Sequence, residues 1–153
     1  MIKIMFVCHG NICRSPMAEF ILKDMVKRQN LQNNFIICSS ATSTEEIWNG
    51  IGNPVYPPAK KVLEHHGINP VGKQAVQLKK SDYNKYDLFI GMDSANIKNM
   101  KRIFDNNSND KIHKLMEYTG STADVFDPWY TRNFEKCYND IFKGCEALLK
   151  TLI

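Results

Sequence analysis

The sequence predicts an α/β protein in which helices cover both faces of a parallel sheet. Two observations support this class. Short apolar runs of the kind that form buried strands alternate with segments of helical periodicity, and the chain closes with apolar residues at helical spacing. In such sheets ligands bind beyond the carboxyl ends of the strands, so we expect a functional site in the loops that follow them.

Four apolar runs are the predicted strands, at residues 2–7, 35–38, 88–92 and 112–118. Their apolar residues are nearly continuous, which is typical of strands that are buried on both faces of a parallel sheet. The stretch 39–58 that follows the second run is rich in Thr, Glu, Asn, Gly and Pro. It predicts a long functional loop and not a domain boundary.

The segments between the strands predict helices. The first helix opens at Ser15-Pro16, where a proline in the first turn costs no hydrogen bond. The second covers residues 58–66 and ends at Gly67. The third follows the third strand, with Asp93 or Ser94 as its amino-terminal cap. The last helix has one apolar face, formed by Phe134, Cys137, Tyr138, Ile141, Cys145, Leu148, Leu149 and Leu152.

Composition limits the class of protein. The 153 residues, 43% of them hydrophobic, predict one globular domain over residues 1–153. The net charge of +4 suits an anionic substrate, but only four residues are arginine and the lysines are scattered, so we expect no nucleic-acid surface. Five cysteines predict free thiols in a reducing compartment, and no apolar stretch has the length of a membrane span. We therefore expect a soluble, cytoplasmic protein with no membrane contact.

The stretch "VCHGNICRSP", residues 7–16, joins the first strand to the first helix. Such a loop collects backbone N–H groups without partners, and the helix dipole adds positive charge. Gly10 and Asn11 are the residues best able to adopt a positive φ and turn these groups inward. Arg14 can return its planar guanidinium to the same centre and bind two phosphate oxygens. The loop therefore predicts an anion site.

Cys8 lies at the base of this predicted anion site. The surrounding positive charge favours its thiolate, which is a nucleophile at neutral pH. Ser15 can donate a hydrogen bond to the sulfur, which stabilises the thiolate and helps it to leave from phosphorus. A Cys-x5-Arg spacing alone is weak evidence, and the strand before it and the helix after it give it weight.

These ten residues resemble the signature of the low-molecular-weight protein tyrosine phosphatases. The resemblance continues through Met17-Ala18-Glu19, Ser40-Ala41-Thr42-Ser43, Gly52-Asn53-Pro54, His66-Gly67-Ile68, Gly91-Met92-Asp93 and Asp127-Pro128. It implies a three-layer sandwich around a four-stranded parallel sheet. It also implies hydrolysis of phosphotyrosine and small aryl phosphates through a phosphocysteine, without cofactor or metal. The implied phosphate-binding loop consists of Cys8, His9, Gly10, Asn11, Ile12, Cys13, Arg14 and Ser15.

A phosphate ester also needs an acid to protonate its leaving oxygen. The segment "DVFDPWY" offers Asp124 and Asp127, and spacing alone does not choose between them. The resemblance selects Asp127, as general acid and then as base for the water that hydrolyses phosphocysteine. Catalytic residues by this resemblance are Cys8, Arg14 and Asp127.

Aromatic residues are candidates for the walls of a slot for an aromatic ring. These are Trp129 and Tyr130 beside the acid, and Trp48 in the long loop, with core filling as the alternative for each tryptophan. His9 and Ile12 would form the rim.

Cys13 also has two possible roles. The resemblance implies that it forms a reversible disulfide with Cys8 that protects the nucleophile, and loop packing is the alternative.

The sequence departs from the family pattern at one place. Many relatives carry His-x-Ala-Arg where this chain has Lys73-Gln74-Ala75-Val76.

Three alternative functions remain open. An arginine phosphatase of the same family would carry a small polar residue, such as threonine, in place of Ile12. An arsenate reductase needs cysteines in the middle of the chain, and none lies between Cys38 and Cys137. An inactive phosphate-binding adaptor would lack the nucleophile or the acid.

The expected partners follow from the predicted reaction. They are a phosphotyrosine-containing protein as substrate and inorganic phosphate as product, for a mainly monomeric enzyme. No acidic or cysteine partner at ligand spacing accompanies His65, His66 or His113, so we expect no metal site.

Overall fold

The computed structural model describes residues 1–106 and 110–153. The strands are β1 (Ile2–Cys8), β2 (Phe35–Ala41), β3 (Ile47–Trp48), β4 (Ile51–Gly52), β5 (Leu88–Gly91) and β6 (Ile112–Lys114). The helices are α1 (Arg14–Arg28), α2 (Pro57–His65), α3 (Ser94–Ile103), α4 (Pro128–Thr131) and α5 (Phe134–Leu152). Short 3-10 helices cover Gln32–Asn34, Lys80–Asn84 and Leu115–Thr119.

The main sheet has four parallel strands in the order β2-β1-β5-β6, with helices packed on both faces. The predicted α/β class is therefore confirmed. The sequence of the central strand β1 is almost continuously apolar because successive side chains point to opposite faces of the sheet, and both faces are buried. Ile4 and Phe6 belong to the core shared with α1, α2 and α5, whereas Met5 and Val7 belong to the core on the α3 face.

The strand register brings three carboxyl ends together at one edge of the sheet. Cys8, the last residue of β1, pairs with Ala41 at the end of β2, and Val7 pairs with Gly91 at the end of β5. The loops that leave these strands therefore converge, as expected for a binding edge in an α/β protein.

Two strand predictions differ from the structure in extent. Strand β2 continues beyond residue 38 to Ala41, because Ser39 and Ser40 are buried and their backbone stays paired with β1. Strand β6 stops at Lys114, and Leu115–Thr119 forms a 3-10 helix where a strand to residue 118 was expected.

The stretch 39–58 also contains more regular structure than a loop. Strands β3 and β4 pair as an antiparallel hairpin across Asn49-Gly50. Both turn residues have positive φ, 51° and 76°, which is the requirement of the tight turns that Asn-Gly favours. The Asn-Gly pair was the sequence signal for this hairpin.

The helices agree closely with their predicted positions. Of the two candidate caps of α3, Asp93 is the one that accepts a hydrogen bond from the backbone N–H of Asn96. Gly67 follows α2 with φ of 78°. Helix α5 buries the face that contains Cys137, Ile141 and Cys145. In the part of the chain that the structure describes, no helix combines the length and apolarity needed to cross a membrane.

Candidate active site

A cavity of about 340 Å³ opens at the carboxyl end of β1. Its lining combines the loop after β1 with residues from the stretch before β3, the start of α2, and the segment from α4 to α5. These residues are Cys8, His9, Gly10, Asn11, Ile12, Cys13, Arg14, Glu45, Glu46, Tyr56, Asp127, Trp129, Tyr130 and Phe134.

Asn11 gives the loop after β1 its shape. It has φ of 59°, whereas Gly10, which was expected to share this conformation, is not among the positive-φ residues. Gly10 instead allows close packing, since a Cβ there would lie 3.2 Å from Cγ of Glu46. The Asn11 amide donates to Ser15 Oγ at 2.8 Å and to Ser39 Oγ at 2.9 Å, and its Oδ1 accepts from the Val76 N–H at 3.0 Å. These bonds offset the cost of a left-handed conformation.

Cys8 is only 3% exposed and faces the amino terminus of α1. Its Sγ lies 3.0 Å from Ser15 Oγ and accepts from the Ser15 backbone N–H at 3.4 Å. Because Ser15 Oγ already accepts from Asn11, its own proton is available to the sulfur or to the Ser40 carbonyl at 3.5 Å. The environment thus presents donors to a thiolate.

Arg14 lies in the same cavity and is 3% exposed. Its Nη1 donates to Asp93 Oδ2 at 2.7 Å and to the Val125 carbonyl at 2.8 Å, which fixes the plane of the guanidinium. Burial alone would lower the pKa of Arg14, but the charges of Cys8 and Asp93 outweigh burial and raise it. Asp93 therefore both caps α3 and holds the arginine.

The two candidate acids occupy different environments. The Asp127 carboxylate lines the cavity, lies 3.8 Å from Arg14 Nη2 and accepts from the Trp129 backbone N–H at 3.0 Å. Asp124 Oδ1 instead accepts from Lys114 Nζ at 2.9 Å and from the Ser94 N–H at 3.1 Å. The structure brings Asp127, and not Asp124, to the cavity of Cys8.

Trp129 and Tyr130 line the cavity as expected, but Trp48 does not. Trp48 lies in β3 next to the Asn-Gly turn and is 79% exposed, and its partner Ile51 in β4 is 65% exposed. Tyr56 and Phe134 are the other aromatic walls. The ring centroid of Tyr56 lies 5.5 Å from that of Trp129 and 5.9 Å from that of Phe134.

Four cavity residues escaped the sequence analysis: Glu45, Glu46, Tyr56 and Phe134. The position of Tyr56 immediately before the Pro57-Pro58 pair that opens α2 is the one signal that could have indicated it.

Lys73 contacts Ser39, one of the residues that hold Asn11 in the loop after β1. Its Nζ donates to the Ser39 carbonyl at 2.9 Å and lies 3.7 Å from Glu19 Oε1, which accepts from Ser39 Oγ at 2.5 Å. Burial lowers the pKa of Lys73, and the charge of Glu19 partly opposes this. Val76 contributes its backbone, since its N–H donates to Asn11 Oδ1 and its carbonyl accepts from the Ala41 N–H at 2.7 Å, and the residue is 48% exposed.

Across residues 1–106 and 110–153, no group of three or more His, Cys, Asp or Glu side chains is placed to hold a metal ion. His66 instead stacks on Tyr138 with ring centroids 3.8 Å apart and contacts Glu135 at 2.8 Å.

A thiol, a buried guanidinium and a carboxylate around one cavity, at the end of the first strand of a parallel sheet, are typical of cysteine-dependent phosphatases. The family described as low molecular weight phosphotyrosine protein phosphatase matches residues 3–153. This chain belongs to that family.

Individual relatives agree with the family match. The chain is 36% identical to the low molecular weight protein-tyrosine-phosphatase YfkJ of Bacillus subtilis, with 99% of this chain and 96% of the relative covered. It is 34% identical to PtpA of Staphylococcus aureus, with 100% and 95% covered.

Solved structures are also similar. The crystal structure of YfkJ has a TM-score of 0.93 at 36% identity and covers 99% of this chain and 94% of its own. SP-PTP from Streptococcus pyogenes has a TM-score of 0.88 at 40% identity, with 100% and 94% covered. The Drosophila arginine phosphatase DARP has a TM-score of 0.88 at 26% identity, with 99% and 98% covered.

Proposed function

We propose that this protein hydrolyses phosphotyrosine in proteins, and small aryl phosphates, through a phosphocysteine intermediate. The observation that carries the proposal is the meeting of Cys8, Arg14 and Asp127 in one cavity with aromatic walls. Family membership supports the same reaction.

The phosphate group would bind between the Arg14 guanidinium and the amino terminus of α1. The helix dipole and the backbone N–H groups of the loop after β1 favour a dianion. Because Asp93 and Val125 hold Arg14 in one orientation, its fork needs little reorganisation to bind two oxygens.

The Cys8 thiolate would then attack phosphorus, and the sulfur–phosphorus bond forms as the bond to the tyrosyl oxygen breaks. Asp127 protonates that oxygen, so the leaving group departs as a neutral phenol. In the second step Asp127, now a carboxylate, takes a proton from water as the water attacks phosphocysteine. Inorganic phosphate forms, and Ser15 stabilises the departing thiolate.

Phosphotyrosine is favoured over phosphoarginine by the chemistry of the walls. Ile12 gives the cavity an apolar side chain, and Tyr56, Trp129, Tyr130 and Phe134 surround the same space. An aryl ring gains from such contacts, whereas a charged guanidinium loses hydration in them. The similarity to arginine phosphatases at 26–27% identity makes phosphoarginine the substrate to compare.

The test compares phosphate release from a phosphotyrosine peptide and from a phosphoarginine peptide of matched sequence. We expect the native protein to prefer the tyrosyl ester and the Cys8→Ser variant to release no phosphate from either. Cys38→Ser is the matched control, since this thiol is outside the cavity, and it should keep full activity. Preference for phosphoarginine, or equal turnover by Cys8→Ser, would contradict the proposal.

A further inference from the structure

Three of the five free cysteines interact with one another at the candidate active site. Cys8 ends β1, and Cys13 is the amino-terminal cap residue of α1. Cys137 lies in the first turn of α5 and is 3% exposed. The proposed hydrolysis uses Cys8 alone, so Cys13 and Cys137 have no role in that reaction.

The backbone explains why Cys137 approaches the loop. Phe134, at the start of α5, lines the catalytic cavity, and Cys137 follows it by three residues on the same face of the helix. Cys13 lines the same cavity and packs against the core that contains both Cys8 and Cys137.

Cys13 interacts with both of the other thiols. The Cys13 thiol interacts most strongly with Cys137, and it is close enough to Cys8 for their charges to interact. The interaction with Cys137, together with burial, raises the pKa of the Cys13 thiol well above its usual range. Cys8 lies at the amino terminus of α1 within hydrogen-bond distance of Ser15, so an oxidant reacts with Cys8 before it reacts with Cys13.

We propose that Cys137 is a disulfide-exchange residue, which transfers the bond of an oxidised Cys8–Cys13 pair to Cys13–Cys137 and returns Cys8 to its reduced form. The inference rests on the proposed function only in taking Cys8 as the reactive nucleophile. It assigns a chemical role to a buried thiol outside the hydrolytic reaction.

The oxidant is a peroxide, and the steps balance. The Cys8 thiolate attacks one oxygen of hydrogen peroxide, the O–O bond breaks, and Cys8 sulfenic acid and hydroxide form. The Cys13 thiol attacks the sulfenic sulfur, which forms the Cys8–Cys13 disulfide and water. Cys137 then attacks the Cys13 sulfur, loses its proton to solvent and expels Cys8 as a thiolate. In sum, two thiols and one peroxide give one disulfide and two waters.

The environment of Cys8 gives this exchange its direction. A thiolate that is stabilised by its surroundings is the better leaving group in thiol–disulfide exchange. Cys8 accepts hydrogen bonds from Ser15, whereas Cys137 lies in an apolar core beside Cys13. Attack on the Cys13 sulfur therefore releases Cys8, and the nucleophile is protected from further oxidation without an external reductant.

The experiment is disulfide mapping. The native protein is treated with one equivalent of hydrogen peroxide without reductant, alkylated after increasing times, digested and analysed by mass spectrometry. We expect the Cys8–Cys13 peptide pair to appear first and the Cys13–Cys137 pair to replace it, with phosphatase activity returning in parallel. This measurement needs no variant, and the mapping reports the exchange even if the enzyme acts on another phosphate ester.

Variants then test the role of Cys137. In Cys137→Ala the Cys8–Cys13 disulfide should persist, and activity should return at least about fivefold more slowly until reductant is added. Cys145→Ala is the matched control, because this buried thiol lies on the same helix and contacts the Ala18 carbonyl at 3.8 Å. It should behave as the native protein does. A native protein that ends only as Cys8–Cys13, or equal recovery in the two variants, would overturn the proposal.

Discussion

Asn11 connects the Cys8 thiol to the buried Glu19 carboxylate, and the hydrogen bonds between them have a direction. The Glu19 carboxylate only accepts hydrogen bonds, so Ser39 Oγ must donate to it and must accept from the Asn11 amide. The same amide donates to Ser15 Oγ, which leaves the Ser15 proton for its acceptors, the nearer of which is the Cys8 sulfur. A buried network of this kind makes the structure rigid when every polar group in it has its hydrogen-bond partners.

Replacing Asn11 tests this network. Asn11→Ala should lower kcat/KM for an aryl phosphate by about 10- to 100-fold, because a loop displaced by about 1 Å loses near-attack geometry. Asn30→Ala is a matched control: Asn30 has the same φ of 59° but is exposed at the end of α1. Both variants lose stability from a left-handed alanine. Steady-state kinetics should separate them, and equal kinetic losses would mean that backbone strain alone explains the effect.

Asp127 is the second residue whose role is open to a kinetic test. Asp127→Asn should lower kcat by about 10² to 10⁴ for phenyl phosphate, because the leaving oxygen must depart without a proton. The loss should be much smaller for an aryl phosphate with an acidic phenol. Asp124→Asn, which changes the acid outside the cavity, should affect both substrates slightly. Equal losses by Asp127→Asn on the two substrates would argue against general acid catalysis.

Among the secondary-structure elements, the ion pair between Lys114 and Asp124 joins β6, the start of α3 and the segment before Asp127. Lys114, at the end of β6, bonds Asp124 Oδ1 at 2.9 Å, Ser94 Oγ at 3.1 Å and the Thr122 carbonyl at 2.8 Å. The same Asp124 oxygen accepts from the Ser94 N–H at the start of α3. The segment that precedes Asp127 is thus tied to the sheet and to α3.

This ion pair predicts a pH dependence of stability. Burial alone would raise the pKa of Asp124, but the bonds from Lys114 and Ser94 outweigh it and lower the pKa. A depressed folded-state pKa stabilises the fold above the unfolded value of about 3.9, and the contribution is lost as pH falls below that value. Because the Asp124 side chain is 34% exposed, Asp124→Asn should cost at most about 1 kcal/mol at pH 7.

Urea unfolding of both proteins at pH 7, 5 and 3 measures this dependence. The difference in unfolding free energy should be similar at pH 7 and 5 and should shrink at pH 3. A constant difference at all three values would assign the effect to packing and not to charge.

Elements with a strong local signal were predictable, and those set by distant partners were not. Strand β1 and helix α5 follow from apolar pattern alone, and Asp93 follows from its position after a strand. The extension of β2 depends on pairing with β1, which no local pattern in Ser39-Ser40 indicates. Trp48 was predicted to line the cavity but is exposed, because the local sequence around an exposed tryptophan does not differ from that around one that lines a cavity. Tyr56 and Phe134 reach the cavity only through the packing of α2 and α5.

For the molecule as a whole, the candidate phosphate site is a junction between parts of the chain that are far apart in sequence. Arg14 on α1 bonds Asp93 at the start of α3 and the Val125 carbonyl. Asn11 bonds Ser39 on β2 and Val76. An anion bound by this loop therefore stabilises contacts between both layers of helices and the sheet.

Inorganic phosphate, as the proposed product, should therefore raise the thermal stability of the whole protein. A ligand that binds only the folded state at about 100 times its Kd adds about 2.7 kcal/mol. For a chain of this length that corresponds to a rise in Tm of roughly 5 to 10 °C. Calorimetry with phosphate, against sodium chloride of equal ionic strength, measures the shift.

Arginine variants decide whether the stabilisation comes from this site. Arg14→Lys should lose most of the phosphate-induced shift, because an ammonium cannot bind two phosphate oxygens in one plane while it keeps its bonds to Asp93 and Val125. Arg28→Lys changes an exposed ion pair with Asp24 at the end of α1 and should keep the full shift. The comparison uses the shift and not the Tm itself, so any destabilisation of Arg14→Lys cancels. If phosphate stabilised both variants equally, it would be acting through general salt effects, and the loop after β1 would not be its binding site.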